Sequence, residues 1–101
     1  MDCSDKLRFE HERLKTFKNW PALYVSPKEL AKNGFYYTGV EDVVMCFYCG
    51  IGLHHWFKEV PAIEHRYNNS ECDLLNNKHS TPNIEIVETL YEVVENDDDI
   101  K

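Results

Sequence analysis

The 101-residue sequence predicts an α+β fold in which short helices surround a three-stranded antiparallel sheet. Three observations carry the expectation. Aromatic and β-branched runs alternate with glycine-containing turns through the middle of the chain. Helix-start and helix-stop residues bracket short segments on either side. Four residues able to ligate a metal, Cys46, Cys49, His65 and Cys72, follow the spacing C-x2-C-x15-H-x6-C.

The length holds one domain, small enough that a metal staple would matter to its stability. The expected division is a metal-binding domain over residues 1–78 and an acidic C-terminal helix and tail over residues 79–101. Asp2, Asp5, Lys6, Arg8 and Glu10 follow Met1 with no apolar signal run, and no stretch of about 18 apolar residues could span a membrane. The expectation is a cytoplasmic or nuclear protein in a reducing compartment, where paired cysteines read as metal or redox chemistry. Net charge is −7, unevenly spread. From Asn83 onward seven carboxylates stand against Lys101, while residues 1–82 hold eleven acids and ten bases. A near-neutral body with an acidic tail speaks against nucleic-acid binding, which calls for a basic face.

Taken in order, Leu7, Leu14 and Phe17 are spaced for an amphipathic helix over Asp5 to Phe17. Trp20-Pro21 closes it, since a residue before proline is pushed out of helical geometry. Cys3 lies outside this pattern and reads as a free thiol without a role. Ser26, Pro27 and Glu29 form a capping-box start, and Gly34 suits the left-handed C-terminal position of a helix over Pro27 to Asn33. The runs Phe35 to Thr38, Val43 to Phe47 and Ile51 to Trp56 read as strands of a meander, with the cysteine pair at its second turn. Pro61 to Tyr67 reads as helix, and Asp73 to Asn77 as one further turn. Ile84, Val87, Leu90, Tyr91 and Val94 recur at three- and four-residue steps among glutamates, the pattern of an acidic amphipathic helix.

The C-x2-C knuckle puts two thiolates on one side of a tight turn, and Gly50 relieves the backbone after it. His65 and Cys72 are seven apart and fit one helix face. Four ligands leave no open position, so the expectation is one structural zinc. The site would carry a charge of about −1, which Arg13 or Arg66 could offset. His79 is an alternative to His65. A redox reading of the cysteines would want a strand-to-helix setting, whereas these residues make a strand-to-strand turn. His54 and His55 are adjacent on the expected third strand and would point opposite ways.

With these ligands placed, the chain resembles the BIR domain, the zinc-binding repeat of inhibitor-of-apoptosis proteins. The segments that carry the resemblance are Arg13 to Pro21, Leu30 to Gly39, Val44 to Leu53, then Trp56, His65 and Cys72. It covers roughly residues 7 to 77. No second zinc cluster follows Cys72, so the type resembled is a single-repeat protein without a RING, a form compatible with a small viral protein acting in host-cell cytoplasm. The resemblance implies a non-catalytic module that binds caspases or the alanine-initiated N-terminal peptides of pro-apoptotic antagonists of inhibitor-of-apoptosis proteins. The peptide would add as a strand along Gly52, Leu53 and His54, its ammonium held beside Trp56 by Glu59 or Glu64. The interval from Trp56 to His65 is one residue shorter than usual in the family, which leaves the choice between the two glutamates open. Asn68 replaces a second groove aromatic, so the pocket should be shallower and weaker. A second reading gives the interaction to the tail helix, as a homodimer contact or partner dock.

Overall fold

A computed structural model of the chain describes residues 6–86. Its helices are α1 (Glu10–Lys15), α2 (Pro27–Lys32), α3 (Pro61–Asn68) and α4 (Asp73–Asn76), followed by a 3-10 turn, Lys78–Ser80. The strands β1 (Phe35–Tyr37), β2 (Val44–Cys46) and β3 (Gly52–Leu53) form one antiparallel sheet in the order β1-β2-β3. Phe35 faces Cys46 across the first pair, and Val44 faces Leu53 across the second. The α+β class and the meander are as the sequence predicts.

Three elements differ from expectation, each for a local reason. The first helix does not run unbroken from residue 5, because Phe9 is extended and bridges Ile84 in parallel. Glu10 N–H donates to the Ile84 carbonyl and Ile84 N–H to that of Arg8, both at 2.8 Å. Ile84 is therefore extended backbone and not part of a helix; Val87, Leu90, Tyr91 and Val94, like Cys3, lie outside the described residues. The third strand stops at Leu53 rather than Trp56. Beyond it the Asp42 carboxylate, not β2 backbone, accepts the N–H groups of His55 (3.0 Å) and Trp56 (2.8 Å).

The second helix begins as its sequence dictates. Ser26 Oγ accepts from the N–H groups of Lys28 and Glu29 at 3.1 and 3.4 Å, and Pro27 takes the first turn. Gly34 follows the helix with φ +94°, a conformation that side-chain-bearing residues rarely adopt. It also makes room, since a Cβ there would lie 2.5 Å from Leu74 Cδ1 and 3.4 Å from Cys46 Sγ. One residue thus brings α2, β2 and α4 together.

The core is built from Phe17, Val25, Leu30, Ala31, Phe35, Val44, Trp56 and Leu74, with Cys46 and Cys72 among them. Arg13 is fully buried in it. Its Nε and Nη1 donate to the carbonyls of Ala31 (2.9 Å) and Leu7 (2.8 Å), and its guanidinium lies 4.8 Å from the Phe47 ring centre. Burial pulls Arg13 down to about 10, while the fields of Glu10, Cys46 and Glu85 favour its charge. Thr16 closes α1 onto the sheet by accepting the Tyr37 N–H at 2.8 Å.

Replacing Gly34 with alanine should destabilise the zinc-loaded domain by about 2–3 kcal/mol, from left-handed strain together with displacement of buried Leu74. Urea unfolding measures this. A variant as stable as the native chain would show that the close approach is relieved at no cost.

Candidate functional site

The thiol sulfurs of Cys46, Cys49 and Cys72 and a ring nitrogen of His65 all lie within 4.8 Å of one another. Cys46 Sγ and Cys72 Sγ are 4.0 Å apart, far beyond a disulfide. Cys49 Sγ is 3.6 Å from His65 Nε2. Zinc–ligand bond lengths in tetrahedral geometry call for about 3.8 Å between sulfurs and about 3.6 Å from sulfur to imidazole nitrogen. The donors and their spacing fit one zinc ion.

The surroundings prepare each ligand for that role. The Asn33 carbonyl, 3.1 Å from His65 Nδ1, can only accept, so the proton sits on Nδ1 and Nε2 turns its lone pair to the metal. Burial lowers the His65 pKa and keeps the neutral, ligating form. Cys46 Sγ accepts from the N–H groups of Tyr48 and Cys49, each at 3.4 Å. Without a cation, burial pushes the Cys46 thiol up to about 12. Bound zinc reverses that preference by stabilising the thiolate directly. The cysteine knuckle is closed by the Gly50 N–H, which donates to the Cys46 carbonyl at 3.0 Å from a left-handed glycine.

The ligands reach the site by a different route than spacing suggests. His65 is on α3, but that helix ends at Asn68, and Cys72 is the residue that caps α4. A turn through Asn69, rather than a continuous helix face, returns the chain to the metal. His79 is exposed in the 3-10 turn and stands outside the cluster. Of the two arginines considered, Arg13 is the buried one whose charge Cys46 feels; Arg66 is exposed on α3.

Beside the metal centre, past the end of β3, lies a cleft of about 270 Å³. Its walls are Gly52, Leu53, His54, His55, Trp56, Glu59, Glu64 and Asn68. The seven groove residues expected from the sequence thus converge on one depression, with His55 added. Among the described residues, strand β3 is an edge strand. Because the Cys46 N–H bonds the Ile51 carbonyl and Val44 faces Leu53, the intervening Gly52 turns its backbone groups away from β2, toward the open edge. Trp56 is 8% exposed. Its indole Nε1 has no hydrogen-bond partner among the described residues. Glu59 is exposed, and its carboxylate accepts the Phe57 N–H at 2.6 Å. That bond holds Glu59 below its usual carboxylate range, so it is ionised near neutral pH. Asn68 is exposed at the end of α3 and donates to the Glu64 carbonyl at 2.8 Å, giving the cleft a polar wall.

His54 and His55 depart from the strand expectation. They lie beyond β3, their ring centres are only 4.1 Å apart, and His55 has φ +66°. Asp42, which holds their backbone, is a residue that spacing does not single out. In sequence it reads as a turn former after Gly39, and only the antiparallel register places it opposite His55.

Residues 13–76 match the family model described as BIR, Inhibitor of Apoptosis domain. The chain is 43% identical over 67 residues to an apoptosis inhibitor of Cydia pomonella granulosis virus, a match covering 65% of this chain and 24% of the viral protein. It is 56% identical over 48 residues to the E3 ubiquitin-protein ligase XIAP of Rattus norvegicus, covering 46% of this chain and 10% of that protein. This chain therefore spans about a quarter or less of those relatives. Among solved structures it resembles the DIAP1 BIR1 domain bound to a Grim peptide, with a TM-score of 0.75 and 32% identity over 87% of this chain and 91% of that one. It also resembles an autoinhibited dIAP1-BIR1 domain, with a TM-score of 0.78 and 33% identity over 89% and 93% of the two chains.

Excess chelator, or Cys49→Ala, should abolish the near-ultraviolet circular dichroism and the cooperative melt. Structural zinc contributes on the order of 10 kcal/mol, comparable to the net stability of a whole domain of about 5–15 kcal/mol. A sharp native melt after complete zinc removal would contradict the metal's structural role.

Proposed function

The chain belongs to the Inhibitor of Apoptosis (BIR) domain family, and from that premise we propose that it is a non-catalytic module capturing peptides with a free N-terminus. The observation that carries the reading is the convergence of an unpaired strand edge, a tryptophan wall and an ionised glutamate on one cleft. Each supplies a distinct part of recognition. The outward backbone groups of Gly52, followed along the cleft by His54, can extend the sheet by one strand. Trp56 offers an apolar wall for a small first side chain, and the modest cleft volume favours a residue such as alanine over a bulky one. Glu59 can pair with the terminal ammonium through a charge-assisted hydrogen bond. Glu64, the alternative, is half-buried at the same cleft, and we assign it the lesser role because no hydrogen bond to its carboxylate orders it among the described residues. The polar Asn68 wall offers little stacking surface, which favours modest affinity.

The partners proposed are those the family implies: caspases or antagonists of apoptosis inhibitors that expose an alanine N-terminus, met in the cytoplasm. The support is that a structural neighbour at 32% identity is a BIR domain bound to a Grim peptide.

Titration with an alanine-initiated peptide and its acetylated twin tests the proposal. The free amine should bind and the acetylated form should lose at least about tenfold in affinity, as expected for a lost charge-assisted bond. Glu59→Gln should weaken the free peptide by a similar factor and Glu64→Gln by less. Equal binding of both peptides would remove amine capture.

A further inference from the structure

The cleft is held open at a point where the sheet has already ended. After Leu53 no β2 backbone group takes the N–H groups of His55 and Trp56; both oxygens of Asp42 are used instead, at 3.0 and 2.8 Å. Between them His55 sits at φ +66°, a left-handed conformation that strains a residue bearing a side chain. Two hydrogen bonds to a carboxylate are enough to offset such strain. The reversal at His55 turns the chain so that the Trp56 ring lies against Phe35, with ring centres 6.3 Å apart, and walls the cleft. Asp42 itself is outside the set of residues lining the cleft.

We propose that Asp42 is the positioning residue of the groove: its carboxylate holds His55 in the left-handed conformation that sets Trp56 as the wall against which the N-terminal residue of a peptide is read. This inference rests on the peptide-capture reading given above. It assigns to the β1–β2 turn a function in recognition, transmitted through backbone and not through contact with the ligand. Asp42 also lies near enough to Glu59 to act on its charge, so a test must separate position from electrostatics.

Backbone preference at residue 55 separates them. Asparagine is the side-chain-bearing residue most at ease in the left-handed region, and a β-branched residue is the least tolerant of it. With the zinc-loaded full chain and an alanine-initiated free-amine peptide, Asp42→Ala should bind about tenfold more weakly. His55→Val, which leaves every carboxylate in place, should bind about fivefold more weakly than His55→Asn, which removes the same imidazole from the cleft wall. Adding His55→Asn to Asp42→Ala should recover most of the loss without restoring the charge. Zinc content is measured for each variant, and where Asp42→Ala does not retain metal the comparison of His55→Val with His55→Asn decides alone. Equal affinity of those two variants, or no recovery in the double variant, would overturn the proposal. Binding by none of the proteins, native included, would overturn the capture reading and this inference with it.

Discussion

His65 is held from three sides, and the rest of the domain depends on that grip. Its Nδ1–H bonds the Asn33 carbonyl at the end of α2, its Nε2 faces the three sulfurs, and its ring lies 4.6 Å from that of Phe35 in the core. A single imidazole thereby links α2, the cysteine knuckle and the aromatic core, and Phe35 carries the contact on to Trp56. The cysteine knuckle, α3 and α4 approach one another chiefly through the ligands they contribute. Gly34, one residue past Asn33, has its glycine because Leu74 and Cys46 close in on the same spot.

Placing four polar ligands at the centre of a small core works only with the ion present. A buried thiolate without a cation is strongly disfavoured, and the upward push on Cys46 expresses this. With zinc bound the same burial becomes an advantage, since a low dielectric strengthens the attraction between dication and thiolates. Buried Arg13 compensates the remaining negative charge; its bond to Ala31 braces α1 against α2, and its bond to Leu7 ties in the segment before α1. The metal centre and the cleft are neighbours in space. One holds the backbone, and the other presents the edge of β3 and the Trp56 wall.

Most of the fold and the ligand set were legible because their signals are local. The C-x2-C knuckle, the Ser26 cap and the glycine after α2 each dictate their own geometry. The departures occur where distant segments meet. Phe9 breaks the first helix because Ile84 pairs with it, and nothing near Phe9 in sequence announces that partner. The seven-residue step from His65 to Cys72 reads as two helical turns, yet the chain leaves the helix at Asn68 and re-enters at Cys72. His54 and His55 read as strand because the alternation persists, while an aspartate ten residues upstream of the strand ends the ladder early. The cleft-lining residues other than His55 were named through family resemblance; Asp42 was not, since a turn aspartate is unremarkable until the register sets it opposite His55.

On the function proposed above, a closed four-ligand metal centre builds the domain and peptide recognition is left to the adjoining cleft. Cobalt substituted for zinc reports on this directly, because its visible absorption depends on ligand number and type. The expected result is the intense spectrum of a tetrahedral site with three sulfurs and one nitrogen, unchanged when an alanine-initiated peptide is added to saturation. A weak spectrum of higher coordination, or a spectrum that shifts as the peptide binds, would contradict it.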